Sequence, residues 1–429
     1  MDARQLAAAL RGTLGPVTIE GLTPLSGGAS RETWAFDAVS ETGARTELVL
    51  RRDPPGRPGE PGSMTREASA IAVARAAGLA VPEVLLCVGE PGLLGSAGLV
   101  MRRIPGETIA RRILRDDAYR PARAVLTGQL GAFAAGLHGL RPPPGLPAPE
   151  PLAGLRATLA AAGDASQVFE LALSTLEASP PPSRPPVLVH GDLRLGNLIV
   201  GPDSLQAVID WELVHTGNPA EDLGWLCVKA WRFGAAPAVA GVGTREELLA
   251  AYRAAGGADI SLDELRWWEI LGTLRWGIIC MTQAQAHLSG AHRSVELAAI
   301  GRRVCEQEWD LLLLLAPEAA ARAAASRPRP AGQPWIAPAP YGRPTASELL
   351  DAVRGYLTDH VMPATTGQLS FHARVAANVL AIVARELEAG AIPDEAGLAS
   401  RVAARLAVAN PRYFGDGGDG QARAGTPDA

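Results

Sequence analysis

The apolar positions change period along the chain. Over roughly the first hundred residues they fall in short β-branched and aromatic runs: Val17–Gly21, Glu32–Val39, Glu47–Arg51, Glu83–Gly89 and Gly98–Ile104. Runs of this length, bounded by Gly, Pro and Asp, predict strands. One helical stretch interrupts them. It starts near Ser63 or Thr65, carries Glu67 in its first turn and stops at Gly78. The front of the chain is therefore expected to be a small antiparallel sheet with one helix. From Pro121 onward the helical period dominates, with long helices expected over Leu262–Gln285 and His292–Leu315. A single exception lies inside that region. Leu198 to Asp210 holds two β-branched runs around Gly-Pro-Asp-Ser, the pattern of a hairpin.

The last hundred residues punctuate differently. Residues 316–340 are rich in Ala, Arg and Pro and read as a linker. Thr345-Ala-Ser-Glu348 is a capping box, and Leu349, Val353, Tyr356 and Leu357 form one apolar stripe that Pro363 should stop. Ser370–Glu388 and Glu395–Ala409 supply two further helices. The expected organisation is a main domain over 10–315, a small all-α domain over 341–414 and a disordered Gly/Asp/Ala-rich tail over 415–429. Three helices make a small core. That unit is expected to dock on the main domain, on a second copy as a homodimer, or on a partner protein.

Composition narrows the function classes. A chain of 429 residues with 47% hydrophobic content can hold two or three cores. Its net charge of −5 gives no basic excess for nucleic acid. Lys229 is the single lysine, so 39 of the 40 basic side chains are arginine. Cys87, Cys227, Cys280 and Cys305 are widely spaced, as expected of buried thiols in a reduced cytoplasmic protein. No run of about 18 apolar residues occurs, and the N-terminus lacks the apolar core of a signal peptide, so no membrane contact is expected.

The hairpin frames the candidate chemistry. Ahead of it stands His190-Gly-Asp192-Leu-Arg194-Leu-Gly-Asn197, and Asp210 closes it. Kinase-type phosphoryl transfer needs a carboxylate to orient and deprotonate a hydroxyl. It also needs an amide and a second carboxylate to hold Mg2+ against nucleotide phosphates. The hairpin folds Asn197 and Asp210 back to one end, within reach of one metal. Arg194 has the charge to neutralise a transferring phosphoryl group, or is a surface loop arginine. His190 fits a bond to its own loop backbone better than a catalytic role. Glu212 is a contact for metal-bound water or substrate, or is simply solvated. Asp222 heads a helix and reads as a brace for the catalytic loop.

Ser26-Gly27-Gly28-Ala-Ser30 separates the first two strands, where glycine amides can approach phosphate oxygens. A kinase also wants a cation at the end of the third strand, paired with a helix carboxylate. Arg51 fits the first place and Glu67 the second, with Arg52 the alternative if the register is shifted by one.

On HGDLRLGNLIV, VIDWE and GNPAEDLGW, supported by LSGGASRETW and LVLRRDPPG, the chain resembles the aminoglycoside phosphotransferase-like family over roughly 10–315. The branch is the one similar to the kinase-like domain fused to acyl-CoA dehydrogenases in animals. The resemblance implies an α+β, two-lobed protein-kinase-like fold, with an N-lobe antiparallel sheet plus helix and a mostly helical C-lobe. It implies an enzyme that phosphorylates small-molecule hydroxyls with ATP or GTP and Mg2+. Asp192 would be the base, Asn197 and Asp210 the metal ligands, and Arg51 would occupy the usual lysine position. Val100 to Ile104 resembles the hinge that bonds adenine through its backbone, which places Met101 and Arg103 at the nucleotide. Residues 341–414 resemble a small uncharacterised helical domain. The branch favours a hydroxyacyl-type acceptor. The alternatives are an aminoglycoside or other antibiotic kinase, and a nucleotide-binding pseudokinase or scaffold.

Overall fold

Alternation in the front of the chain becomes a sheet. The structure, a computed structural model, describes residues 2–25, 31–54, 59–89, 92, 94–161, 166–292, 295–325, 346–389, 392 and 396–414. Helix α1 (Ala3–Leu14) leads into β1 (Val17–Pro24), β2 (Glu32–Ser40) and β3 (Arg45–Arg52). Helix α2 (Ser63–Ala76) follows, then β4 (Val84–Val88) and β5 (Gly98–Arg102). The five strands pair antiparallel in the order β1-β2-β3-β5-β4. One sheet face packs Phe36, Leu48, Leu50 and Val100 onto Leu6 and Leu10 of α1. Period two along β3 buries Leu48, Leu50 and Arg52 together, so Arg51 projects from the other face. Helix α2 buries Met64, Glu67, Ala70, Ile71 and Ala74, a helical-period stripe with one carboxylate in it.

The middle of the chain is mostly helical: α3 (Ala110–Arg115), α4 (Arg120–His138), α5 (Pro151–Ala161) and α6 (Gln167–Ala178). Four short strands come next, β6 (Val187–Val189), β7 (Leu198–Val200), β8 (Leu205–Val208) and β9 (His215–Gly217). They pair as β6 with β9 and β7 with β8, the second pair being the expected hairpin. Helices α7 (Ala220–Cys227), α8 (Arg245–Ala254) and α9 (Leu262–Leu288) complete this region. The expected helix over His292–Leu315 is instead two, α10 (Val295–Gly301) and α11 (Val304–Leu315). Gly301 explains the break. It approaches α9 so closely that a Cβ there would lie 2.7 Å from Cβ of Ala284, and glycine is a poor helix former.

The range expected as a linker, 316–340, begins with a helix. Pro317–Ala325 forms α12, with proline in its first turn and alanine as the best helix former after it. Residues 326–345, including Thr345 of the capping box, lie outside the described residues, as does the tail over 415–429. Beyond them come α13 (Ala346–Tyr356), α14 (Met362–Ala364), α15 (Gly367–Ala389) and α16 (Leu398–Ala409). The helical run that begins with α13 ends at Ala364, one residue after Pro363. A π-turn over Leu357–Val361 carries it onward, and proline is tolerated in the first turn of α14. The apolar stripe of α13 is exposed, with Leu349, Val353 and Tyr356 at 53%, 51% and 60%.

The chain divides into two compact units. One comprises Met1–Gly154 and Leu176–Thr273; the other comprises Leu155–Thr175 and Leu274–Ala429. This division differs from a break at 315–341, because α11 and α16 share the second unit. There Arg405 pairs with the buried Glu308 at 2.7 Å, Asn410 Nδ2 donates to Glu306 at 2.9 Å and Tyr413 Oη donates to Asp310 at 2.6 Å. A charged layer, not only apolar area, holds the last helix to the unit. Cys227, Cys280 and Cys305 are buried as expected, whereas Cys87 is exposed. Burial pushes the Cys280 and Cys305 thiols up to about 12. Among the described residues no helix is long and apolar enough to cross a membrane.

Candidate active site

The catalytic-loop candidate leaves β6 through a position that only glycine can hold. Gly191 has φ of 81°, and a Cβ there would lie 2.4 Å from the Leu213 carbonyl oxygen. Behind it, Asp222 of α7 is fully buried and fully used. Its oxygens accept the backbone N–H of His190 and of Gly191, both at 2.9 Å, and contact His138 Nε2 at 3.2 Å. Burial alone would raise its pKa. The bond to His138, with the charges and backbone donors around it, holds the carboxyl below the usual range instead. His190 is also fully buried, and burial lowers its pKa. Its Nδ1 accepts from Asp192 N and its Nε2 donates to the Ile209 carbonyl, both at 3.2 Å. His190 therefore shapes its own loop.

Asp192 is 8% exposed and carries donors on both oxygens. Arg194 Nε lies 3.0 and 3.1 Å from the two, Trp225 Nε1 donates to Oδ1 at 2.7 Å, and Asn197 Nδ2 donates to Oδ2 at 2.6 Å. Asn197 also donates to the Asp192 carbonyl at 2.9 Å. The Arg194 guanidinium stacks over Trp231, 4.8 Å from the ring centre. A single 3₁₀ turn, Leu195–Asn197, brings Asn197 back to the hairpin, where its carbonyl accepts from Ile209 N at 2.9 Å. Asp210 follows with φ of 69°, an uncommon conformation for a residue with a Cβ and one concentrated at functional sites.

From the sheet side, Arg51 reaches this end of the hairpin. Its Nη1 donates to Glu67 Oε1 at 2.7 Å, and its Nη2 bonds Asp210 Oδ1 and lies 3.2 Å from Glu212 Oε2. Burial opposes the charge on Arg51, but Glu67, Asp210 and Glu212 raise its pKa further. Arg52, on the opposite sheet face, bonds Glu32 at 3.0 Å and the Leu94 carbonyl at 2.8 Å. Strand parity thus places Arg51, not Arg52, beside Asp210.

Several sequence expectations meet here and others do not. Asp192, Arg194 and Asn197 are in mutual contact, and Arg51 bonds both Glu67 and Asp210. Ser26, Gly27, Gly28 and Ser30 lie outside the described residues. Met101 is a buried ladder residue between Val49 and Val84. Arg103 directly follows β5. Its backbone N–H already donates to the Glu47 carbonyl at 3.0 Å, so that donor is spent within the sheet. Sequence reasoning missed Arg31, a second cation on Glu67, and Trp225, which fixes Asp192. Trp225 stood in the open, three residues after Asp222 in the GNPAEDLGW stretch.

The donor set suits a hard divalent cation. With Asn197 Nδ2 committed to Asp192, its Oδ1 is the amide atom left for a metal, and the Asp210 carboxylate follows Ile209, whose N–H donates to the Asn197 carbonyl at 2.9 Å. Among the described residues no group of three or more His, Cys, Asp or Glu is arranged around a metal. Mg2+ at nucleotide sites needs none, since one or two protein ligands and the phosphates suffice.

The model of the phosphotransferase enzyme family matches residues 21–268. The chain belongs to this family. A second match, over residues 363–400, is to a domain of unknown function (DUF6285). Acyl-CoA dehydrogenase family member 11 of Gallus gallus is 34% identical over 165 residues, 35% of this chain and 21% of that protein. Acyl-CoA dehydrogenase family member 10 of Mus musculus is 49% identical over 43 residues, 10% of this chain and 4% of that protein. The chain thus spans about a fifth or less of the curated relatives it matches. A putative aminoglycoside phosphotransferase of Ralstonia eutropha JMP134 superposes with a TM-score of 0.55 at 20% identity, covering 72% of this chain and 98% of that one. A choline/ethanolamine kinase family protein of Mesorhizobium loti gives 0.50 at 20% identity, covering 75% and 97%. The fold of this phosphotransferase is the kinase-like one, with an antiparallel sheet in front and helices behind.

The arginine register is directly testable in the phosphotransferase. Arg51→Ala is expected to weaken Mg-nucleotide binding about tenfold or more, the usual scale for a lost charge-assisted bond. Arg51→Lys should retain much of it. Arg52→Ala should leave binding alone and lower the melting temperature. Calorimetric titration of the three variants checks this, and a reversed ranking would move the nucleotide cation to Arg52.

Proposed function

We propose that this phosphotransferase moves the γ-phosphoryl group of ATP or GTP, with Mg2+, onto the hydroxyl of a small metabolic acceptor of hydroxyacyl type. The observation that carries the reading is Asp192, a nearly buried carboxylate with both oxygens fixed by Arg194, Trp225 and Asn197. In this scheme Asp192 orients the acceptor hydroxyl and takes its proton as the oxygen bonds phosphorus. The bond from the γ-phosphorus to the bridging oxygen breaks, and the nucleoside diphosphate leaves. Arg194 lies beside the reacting group to offset its charge. Arg51 holds nucleotide phosphates, while Asn197 and Asp210 would hold the metal. Mg2+, when bound, neutralises charge on the phosphate oxygens.

Charge bears on the acceptor class. A polycationic antibiotic needs uncompensated acids near the site. In the helical stretch behind it, Glu269 is 2% exposed and already bonds Arg232 at 3.0 Å and Arg245 at 2.7 Å. Glu264 is likewise taken by Arg184 at 2.6 Å. The cation–aromatic pair of Arg194 and Trp231 suits an anionic or neutral acceptor instead. Similarity to an acyl-CoA dehydrogenase family member points the same way.

A phosphorylation screen tests the proposal. ATP and GTP are offered with hydroxyacyl-CoAs, hydroxy acids, amino alcohols, sugars and aminoglycosides, and product is read by mass spectrometry. Turnover of hydroxyacyl acceptors is expected. Preferential turnover of aminoglycosides would replace the reading with an antibiotic kinase. Nucleotide binding without turnover of any acceptor would make the chain a pseudokinase.

A further inference from the structure

Glu67 is a buried carboxylate, 1% exposed, with a different guanidinium on each oxygen. Arg51 Nη1 donates to Oε1 at 2.7 Å, and Arg31 Nη1 donates to Oε2. The Arg31 side chain is itself only 7% exposed and is anchored at its other side. Its Nε lies 3.4 Å from Asp53 Oδ1 and 3.8 Å from Glu212 Oε2. Asp53 in turn accepts from Gly59 N at 2.8 Å. Arg51, by contrast, spends its second amino group on Asp210 and Glu212, at the hairpin end.

This arrangement resolves a conflict. A single cation that serves both a buried carboxylate and a nucleotide must loosen one to hold the other. Leaving a buried carboxylate without a partner is strongly destabilising. With two guanidiniums on Glu67, one can leave without orphaning it. The anchored one is Arg31, tied to Asp53. The one aimed at the hairpin is Arg51.

We propose that Arg31 is a positioning residue of the nucleotide site, keeping Glu67 charge-compensated while Arg51 turns to the nucleotide phosphates. The inference rests on the nucleotide-dependent function proposed above. Arg31 makes no contact with nucleotide in this scheme; its effect runs entirely through Glu67. Without Arg31, Glu67 holds Arg51 as its only cation, and phosphate binding must compete with that pair.

Calorimetric titration with MgATP and MgGTP tests this on the full chain. Arg31→Ala and Arg31→Gln are each expected to weaken binding about tenfold or more, a charge-assisted bond being at stake. Arg31→Lys should recover part of the loss, and free guanidinium ion should partly rescue Arg31→Ala. The deciding comparison is a Glu67→Gln background. With no carboxylate to compensate, Arg31→Gln should cause no further loss there. Melting temperatures without nucleotide identify variants whose loss is only misfolding, and Arg31→Gln, of similar shape, is the variant to use if Arg31→Ala does not fold. Parent-like binding by folded Arg31 variants overturns the proposal and leaves the function intact. An equal loss in the Glu67→Gln background also overturns it, making Arg31 a direct phosphate ligand. A parent that binds neither nucleotide removes the function reading and this proposal together.

Discussion

Asp192→Asn is expected to bind Mg-nucleotide as the parent does and to transfer phosphoryl groups about 10²–10⁴-fold more slowly, the usual range for a lost general base. The shape of the side chain is kept, and the proton acceptor is lost. The variant also meets a donor conflict. Arg194 Nε, Trp225 Nε1 and Asn197 Nδ2 all point at this carboxylate, and an amide has one oxygen to offer them. A small loss of stability should therefore accompany the loss of rate. Single-turnover kinetics with the best acceptor of the screen, beside calorimetry of nucleotide binding, separates the two. Near-parental turnover would remove Asp192 from the reaction.

Asp222→Ala should be the most destabilising single change at the site, costing about 3–5 kcal/mol as expected for breaking a buried charge network. Three groups lose their acceptor together: the N–H of His190, the N–H of Gly191 and the ring of His138. Each unsatisfied buried group costs about 1–3 kcal/mol, without strict additivity. Urea unfolding at neutral pH measures the gap between parent and variant. The folded pKa of Asp222 lies below its ordinary 3.8. Its contribution is therefore complete above that ordinary value and lost as pH falls through the folded one. The gap should narrow on acidification below about pH 4. A gap that stays constant to strong acid would show that Asp222 acts by shape and not by charge.

Local rules made the sheet and hairpin legible. Period-two runs gave β2 and β3 within a residue or two, and Gly-Pro-Asp-Ser marked the turn between β7 and β8. The choice between Arg51 and Arg52 was also local in principle. Strand parity puts Arg52 with Leu48 and Leu50, leaving Arg51 for the other face. Arg31 was not legible, because its role depends on Asp53, Glu67 and Glu212 arriving from three separate stretches. The break at Gly301 depends on the approach of α9, which no pattern within residues 292–315 records. Composition did not announce α12 inside the expected linker, although Ala and Arg are good helix formers, whatever prolines flank them. At Arg103 a resemblance locates the hinge but does not say which amides the sheet has already consumed.

Among the described residues, the cations bonded to Glu67 are the guanidinium groups of Arg31 and Arg51, and the one bonded to Asp210 is that of Arg51. A guanidinium keeps its proton at any physiological pH, whereas a lysine amine is the usual target of acetylation. Acyl thioesters, the proposed class of acceptor, react slowly with such amines even without a catalyst. The proposed nucleotide site, built on arginine, is inert to that side reaction. The same chemistry decides how the site can be probed. Amine-directed acylating labels pass it by.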